Sequence, residues 1–186
     1  MNEDDLKDLL FGVPQIMEIL RIVRSLALAD SWLAAGCIRN LIWNALSEKP
    51  LFDEHTDIDV IFFDQAISYE DTQALSEILK KNYPKYDWEL KNQACMHLYN
   101  LNTQPYLNSS DAVARFPETC TAVGARLTAM DEMTILAPYG LSDIASFIVR
   151  PTPYFTESCE KLAIYRTRIA KKRWQEKWPN LKIVFE

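Results

Sequence analysis

Apolar and polar residues recur along the chain with two periods, and each period predicts one type of secondary structure. Apolar residues three or four positions apart predict helices over 3–11, 14–29, 37–46, 68–82, 110–116, 141–147 and 156–177. Short apolar or alternating runs predict strands over 33–35, 57–63, 87–92, 94–99, 121–129 and 133–137. Helices that alternate with strands in this way predict an α/β (α+β) fold, in which a mixed sheet is flanked by helices.

The C-terminal part of the chain is set apart by two prolines within 150–154, a segment that we interpret as a linker. We therefore expect a main domain over residues 1–150. Residues 151–186 then form the linker and a C-terminal helix packed on that domain. A second connection, over 100–110, is expected to be a loop.

Two aspartates open the otherwise apolar run over 57–63. Asp57 and Asp59 are two residues apart, so on a strand both side chains point to one face while Ile58 points to the other. Carboxylates aimed at one point repel each other, and a divalent cation between them relieves the repulsion. The pair is therefore a candidate metal site. The alternative is a solvated strand start with two acidic residues.

A glycine lies at a turn upstream of the acidic pair. Gly36 follows the strand pattern over 33–35 and precedes the helical pattern over 37–46. A strand, a glycine turn and a helix N-terminus together favour phosphate binding, because free backbone N–H groups and the helix dipole face the anion. Arg39 in the first turn could add a bidentate contact to a phosphate. The alternative for Gly36 is an ordinary turn between strand and helix.

These two motifs together resemble a known superfamily, the nucleotidyltransferases of the DNA polymerase beta type. The nearest pattern is the Gly-x-x-Arg-Asp turn of CCA-adding enzymes and poly(A) polymerases. The chain departs from it at Cys37, where many members have a second Gly or Ser, and at Asn40, where the CCA type has Asp. Most of residues 14–160 also resemble a family of small bacterial nucleotidyltransferase-like proteins. The segments that carry this narrower resemblance are 88–93, His97, 121–126 and 137–141.

The resemblance implies a nucleotidyltransferase fold with a C-terminal helix, and it implies roles for individual residues. The implied nucleotide-binding residues are Gly36, Cys37, Arg39 and Asn40. The superfamily also uses a third carboxylate on a neighbouring strand. Glu89 is its best match, but Asp87 lies on the same strand face, so periodicity alone leaves both open. The implied catalytic residues and ligands of Mg²⁺ or Mn²⁺ are Asp57, Asp59 and Glu89.

The implied activity is metal-dependent transfer of a nucleoside monophosphate from an NTP to an acceptor hydroxyl. The acceptor could be a small molecule, a protein or a nucleic acid, and the oligomeric state is left open. The alternative is a non-catalytic module on the same fold, which binds a nucleotide or a protein and acts as a regulator in the manner of an antitoxin. Loss of the second small residue at Cys37 favours this alternative, whereas the acidic pair opposes it.

Charge and composition limit the kinds of partner that we expect this protein to bind. The fractions of hydrophobic residues, 48%, and charged residues, 25%, are ordinary for a soluble globular protein. No apolar run reaches the length of a membrane span, and the acidic N-terminus lacks the basic start of a signal peptide, so we expect no membrane partner and a cytoplasmic protein. The four cysteines are not at metal-ligand spacing, so we expect no structural zinc and no disulfide.

The charge of the two parts of the chain differs in sign. Residues 1–150 carry 12 basic and 22 acidic side chains, whereas residues 151–186 carry 8 basic and 4 acidic ones. The acidic bulk argues against extensive nucleic-acid binding. The basic residues over 156–177 are spread around the predicted helix, which favours a solvated helix over an RNA-binding one. A nucleic-acid partner is therefore not the favoured interpretation.

Overall fold

A mixed five-stranded sheet forms the centre of the molecule, whose computed structural model describes residues 1–99 and 103–185. Its strands are β1 (Trp32–Ala34), β2 (Ile58–Phe62), β3 (Trp88–Asn92), β4 (Gly124–Leu127) and β5 (Met133–Leu136). They lie in the order β3-β2-β1-β4-β5. Strands β2 and β3 are parallel, whereas the other neighbouring pairs are antiparallel. The predicted mixed sheet is confirmed.

Helices flank this sheet, as predicted. They are α1 (Glu3–Phe11), α2 (Pro14–Ser25), α3 (Gly36–Leu46), α4 (Tyr69–Asn82), α5 (Gln93–Met96), α6 (Ser109–Ala114), α7 (Ser142–Ala145), α8 (Pro153–Thr156), α9 (Cys159–Lys172) and α10 (Trp174–Lys177). Helices α2, α3 and α4 pack against strands β1 to β4, and α1 packs against β5. A second, parallel pair of strands, β6 (Ile148–Val149) and β7 (Lys182–Ile183), joins the C-terminus to the rest of the chain.

The two faces of the sheet differ in character, and the difference positions the candidate site. On one face Ile58, Val60 and Phe62 are each 0% exposed and belong to the main hydrophobic core. Because side chains alternate along a strand, the residues between them, Asp59 and Ile61, point to the other face. Ile61 packs there in a small second apolar cluster, which leaves the start of β2 free for polar side chains.

Local sequence explains where the longer helices begin and end. The side chains of Asn2 and Ser68 accept hydrogen bonds from the N–H three residues further on, and both positions form complete capping boxes. Pro14 occupies the first turn of α2, where its missing N–H costs nothing. The helix predicted over 14–29 ends early, because Ala27 adopts a positive φ of 51° that an α-helix does not allow.

The strand predicted over 94–99 is wrong, because α5 and a 3₁₀ turn occupy these residues. Asn92 is the last residue of β3, and its side chain caps α5. Its oxygen accepts the N–H of Ala94 at 3.1 Å, and its amide donates to the carbonyl of Ile67 at 2.9 Å. Of the loop predicted over 100–110, residues 100–102 lie outside the described part of the chain.

The single C-terminal helix predicted over 156–177 is interrupted. Arg173 takes a left-handed conformation with φ 49°, which ends α9 and turns the chain into α10. The turn places Trp174 on the core, with its ring centroid 5.7 Å from that of Trp43. The basic end of α9 is therefore fixed against the body of the protein.

Residues 150–154 are held by hydrogen bonds rather than left free. Thr152 is 0% exposed, its N–H donates to the carbonyl of Pro117 at 3.2 Å, and its hydroxyl donates to that of Phe116 at 2.7 Å. The division of the chain at residue 150 stays a prediction. Within the described residues, no helix is both long enough and apolar enough to cross a bilayer.

Candidate active site

The acidic pair and Glu89 lie together at one edge of the sheet. Asp57 directly precedes β2 and Asp59 lies within it, so both face the side opposite the core. In the parallel pairing of β2 with β3, Asp59 is the register partner of Glu89. These three carboxylates line one cleft, whereas Asp87 lines none of the clefts described below. The register thus places Glu89, the better match to the third carboxylate of the superfamily, directly beside Asp59.

A lysine that the sequence did not assign bridges two of these carboxylates. The ammonium of Lys91 lies 2.5 Å from Glu89 Oε2 and 3.5 Å from Asp59 Oδ1. The hydrogen bond from Lys91 lowers the pKa of Glu89 below its usual range. Burial alone would lower the pKa of Lys91, but the hydrogen bond to Glu89 and the charge of Asp59 raise it. Lys91 is therefore a charged counter-ion at the centre of the acidic group.

The surroundings of Asp59 disfavour its ionised form. Its side chain is only 25% exposed, and burial raises its pKa above the usual range. Lys91 opposes this shift, whereas the negative charges of Glu89 and Asp57 add to it. A desolvated carboxylate with like charges nearby favours any additional cation that can approach it.

The turn after β1 brings a helix N-terminus to this acidic group. Ala35 adopts φ 53° and ψ −113°, a rare conformation for a residue with a Cβ, and Gly36 then begins α3. A Cβ on Gly36 would lie 3.7 Å from Asp59 Oδ2 and 3.7 Å from Arg39 Nη2. Gly36 therefore keeps the space beside Asp59 open at the start of α3.

Arg39, the predicted phosphate contact, lines a cleft at this site but is only 6% exposed. Its guanidinium carbon lies 4.1 Å from the ring centroid of Trp174 and 5.2 Å from that of Trp43. Nη2 donates to Asn40 Oδ1 at 2.8 Å, whereas the buried Nε has no hydrogen-bond partner within the described residues. Burial lowers the pKa of Arg39. The cation is therefore held by aromatic rings at the wall of the candidate site.

The other two predicted nucleotide-binding residues have structural contacts of their own. Asn40 donates from its amide to Thr56 Oγ1 at 3.2 Å, which ties α3 to the loop before β2. Cys37 is buried, and burial together with the charge of Asp59 raises the pKa of its thiol to about 12. Cys37 is thus a neutral, buried side chain, and it can offer a ligand at most its backbone.

Two clefts meet at Asp57 and Asp59. The first, which we call the basic cleft, has a volume of about 510 Å³. Its lining includes Gly36, Arg39, Asn40, Lys171, Lys172 and Lys177. The second, which we call the aromatic cleft, has a volume of about 530 Å³. Its lining includes Glu89, Tyr99, Tyr106, Phe116, Tyr154 and Phe155.

The basic residues of the C-terminal helix face the candidate site. Lys171 lines the basic cleft, and Arg168 and Lys172 line both clefts. Lys171 and Lys172 are exposed and Arg168 is half-buried, so the solvated helix that the sequence favoured is not contradicted. The position of this helix end beside the candidate site was not predicted. The signal that could have revealed it is the pair of apolar residues Trp174 and Trp178 further on, which need a core to bury them and so pull the end of α9 inward.

The donor atoms at this edge fit a hard divalent cation, because Asp57, Asp59 and Glu89 offer carboxylate oxygens on one face. The carboxylates are not drawn together as a cage, however. Among residues 1–99 and 103–185, no three His, Cys, Asp or Glu side chains are arranged to hold a metal ion. Lys91 already pairs with both Asp59 and Glu89, so an ion that bound both would take over the role of its ammonium.

The comparison with protein families identifies the class of protein to which this fold belongs. The chain belongs to the nucleotidyltransferase family, whose profile matches residues 21–183. It is 50% identical to a protein whose NMR structure reveals a CCA-adding enzyme head domain, with a TM-score of 0.92. The match covers 98% of this chain and 96% of that one. No match was found among curated proteins.

Larger enzymes share the fold at low identity. A CCA-adding enzyme in complex with CTP has a TM-score of 0.60 at 15% identity, with 96% of this chain and 43% of that chain covered. A tRNA nucleotidyltransferase complexed with a primer tRNA and an incoming ATP analog has a TM-score of 0.50 at 14% identity, with 89% and 46% covered. The present chain thus spans less than half the length of these enzymes.

Proposed function

We propose that this protein transfers a nucleoside monophosphate from an NTP to an acceptor hydroxyl, with Mg²⁺ or Mn²⁺ held by Asp57, Asp59 and Glu89. The observation that carries the proposal is the register of β2 and β3, which sets Asp59 beside Glu89 on the open face. The N-terminus of α3 and the guanidinium of Arg39 border the same space. A cation site next to an anion site is what a nucleotide with its metal requires.

The chemistry is an in-line displacement at the α-phosphorus. The acceptor oxygen forms a bond to phosphorus, the bond from phosphorus to the bridging oxygen breaks, and pyrophosphate leaves with the electron pair. The hydroxyl proton passes to a carboxylate, and we propose Glu89, which lines the aromatic cleft, for this role. A bound divalent ion would supply charge neutralisation of the phosphates and acidify the hydroxyl.

An NTP as the donor of the nucleoside monophosphate is supported by the CTP and the ATP analog bound to the larger enzymes that share this fold. The acceptor is not specified by the site. The names of those enzymes suggest a tRNA as the acceptor. The predominantly acidic charge of residues 1–150, however, argues against a broad RNA-binding surface. We therefore propose the reaction type and leave the acceptor as a hydroxyl compound.

The experiment is transfer of label from α-³²P NTPs to cell lysate, with Mg²⁺ or Mn²⁺, for the wild type, Asp59→Asn and Asp87→Asn. We expect label in an acceptor with the wild type and with Asp87→Asn, and none with Asp59→Asn. Asp87→Asn is the matched control, because it removes an exposed carboxylate from the same edge of the sheet. Equal labelling by all three proteins, or no binding of any NTP in a direct titration, would refute the proposal.

A second candidate function is a non-catalytic nucleotide- or protein-binding module, and the bridging of Asp59 and Glu89 by Lys91 favours it. A protein without catalytic activity can keep Asp59 and Glu89 side by side if Lys91 pairs with both. This alternative expects NTP or partner binding that does not depend on divalent metal. It also expects no transfer of label, and co-purification of a partner protein would support it.

A further inference from the structure

Lys91 lies between the two carboxylates that the register of β2 and β3 brings together. Its ammonium donates to Glu89 Oε2 at 2.5 Å and lies 3.5 Å from Asp59 Oδ1. Glu89 and Lys91 are two residues apart on β3, so both side chains lie on the face that carries Asp59. Within the described residues, no other lysine or arginine pairs with either carboxylate. The ammonium is therefore the resident cation of this pair.

The two oxygens of Asp59 have different neighbours, and this limits where an ion can enter without disturbing Lys91. Oδ1 faces the ammonium, whereas Oδ2 lies 3.7 Å from the position that a Cβ on Gly36 would take. An ion that approaches from the start of α3 can reach Oδ2 and leave Lys91 in place. An ion that binds Glu89 as well comes close to the ammonium, and the two positive charges repel each other.

Beside β3 there is room for the ammonium to move away. β3 is an edge strand of the sheet, and residues of α4 and β3 line a groove of about 440 Å³, which we call the edge groove. Lys91 lines this groove as well as the aromatic cleft. Apart from Glu89, the edge groove is lined by neutral side chains and Lys80. An ammonium that moved there would lose Asp59 and gain no new carboxylate, so the metal-free protein favours the bridging position.

We propose that Lys91 competes with the divalent ion for the position between Asp59 and Glu89, and that an ion which binds both carboxylates displaces the ammonium towards the edge groove. The proposal rests on the proposed function, which assigns the ion to these carboxylates. In the metal-free protein the ammonium offsets the repulsion between the two negative charges. Its displacement breaks two charge contacts, so Lys91 lowers the affinity of the site for the ion.

The test is titration of Mn²⁺, without nucleotide, into the wild type, Lys91→Met, Lys91→Arg and Lys172→Met, with free Mn²⁺ measured by electron paramagnetic resonance. We expect Lys91→Met to bind Mn²⁺ about tenfold more tightly than the wild type, because no ammonium has to be displaced. Lys91→Arg keeps the charge and should bind Mn²⁺ no more tightly than the wild type.

Lys172→Met is the matched control for a general effect of charge. Lys172 is an exposed lysine that lines the aromatic cleft, as Lys91 does, but it forms no ion pair within the described residues. Its replacement should change the Mn²⁺ affinity by less than about threefold, because a solvated charge that is not in contact is screened. In the Lys91→Met background, Asp59→Asn should abolish the tight site, which identifies that site as the one between the carboxylates.

The outcomes separate this proposal from the proposed function. A purely structural Lys91 would lower Tm when replaced and leave Mn²⁺ binding unchanged, and that result would overturn the competition. An equal gain in affinity for Lys172→Met or Lys91→Arg, or a tight site that survives Asp59→Asn, would overturn it too. In each of these cases, label transfer from an NTP by the wild type leaves nucleotidyl transfer standing. Absence of Mn²⁺ binding to the wild type and Lys91→Met alike would overturn both the competition and the assignment of the ion to these carboxylates.

Discussion

Replacing Asp59 with Asn removes one charge from the crowded face at almost constant side-chain shape. Burial raises the pKa of Asp59, and the charges of Glu89 and Asp57 add to the shift. A raised pKa means that folding favours the protonated form. The stability it contributes is present below the pKa of an unfolded aspartate and is lost as the pH rises through the folded pKa. At pH 7 the ionised Asp59 therefore lowers the free energy of unfolding, and Asp59→Asn should raise it.

The size of the effect follows from two opposing contributions. Asn loses the contact of Asp59 with Lys91 at 3.5 Å, which is worth at most about 1 kcal/mol because Lys91 is 43% exposed. Lys91 keeps its shorter contact with Glu89 at 2.5 Å. Relief from desolvation and from like charges exceeds this loss, since the pKa shift of Asp59 is upward despite Lys91. We expect a net gain of about 1 kcal/mol, or a rise in Tm of about 2–4 °C for a chain of this length.

The assay is thermal unfolding of the wild type, Asp59→Asn and Asp87→Asn at pH 7, in a chelator and then in excess Mg²⁺. The control Asp87→Asn should stay within about 1 °C of the wild type in chelator, because exposed substitutions change stability little. Excess Mg²⁺ should stabilise the wild type by about 2–3 kcal/mol at a hundred times the Kd and Asp59→Asn much less. The advantage of Asp59→Asn in chelator should shrink as the pH falls towards the range of free aspartate. A lower Tm for Asp59→Asn in chelator, with no effect of Mg²⁺ on the wild type, would refute the reasoning.

Two further predictions concern the turn at the start of α3. Gly36→Ala should leave Tm within about 2 °C of the wild type, because the added Cβ meets Asp59 and Arg39 at an ordinary 3.7 Å. It should weaken ATP binding about tenfold, because the Cβ fills the space proposed for the phosphates. Melting curves and titration measure the two effects, and unchanged ATP binding would contradict the phosphate role of Gly36. Native alkylation at pH 8 should modify the exposed Cys159 and spare Cys37, whose pKa is raised to about 12 by burial. Mass spectrometry reads the sites, denatured protein is the control, and rapid native labelling of Cys37 would contradict its assignment as a buried thiol.

Local pattern was enough to predict the part of the site that lies on β2. Alternation along one strand separates the buried Ile58 and Val60 from Asp59, and no other part of the chain is needed to see it. The helix after Gly36 is equally local, because the apolar spacing of its residues marks the helical face. The pairing of Asp59 with Glu89 is a step further. It was expected from a resemblance, and it required the parallel register of two strands that a helix separates along the chain.

Contacts between segments that are distant in the sequence could not be predicted from such patterns. Nothing in the alternation of β3 shows that Lys91 points its ammonium at Asp59, since this depends on the side-chain conformation within the assembled sheet. The left-handed turn at Arg173 comes directly before Trp174, which packs against Trp43, and Lys172 just before the turn lines both clefts. Without that turn, a basic helix with charges all around it is indistinguishable from a solvated one.

Three energetically unfavourable features meet at one edge of the sheet. Ala35 holds a rare backbone conformation that costs about 1–3 kcal/mol, Arg39 has a buried donor without a partner in the described residues, and burial and like charges disfavour the ionised form of Asp59. The apolar face of the same strands, where Ile58 and Val60 are fully buried, supplies the stability that permits them. A protein that only needed to fold would have no reason to collect these features at one point. A metal ion bound at this edge would relieve one of them, because it offers positive charge to Asp59.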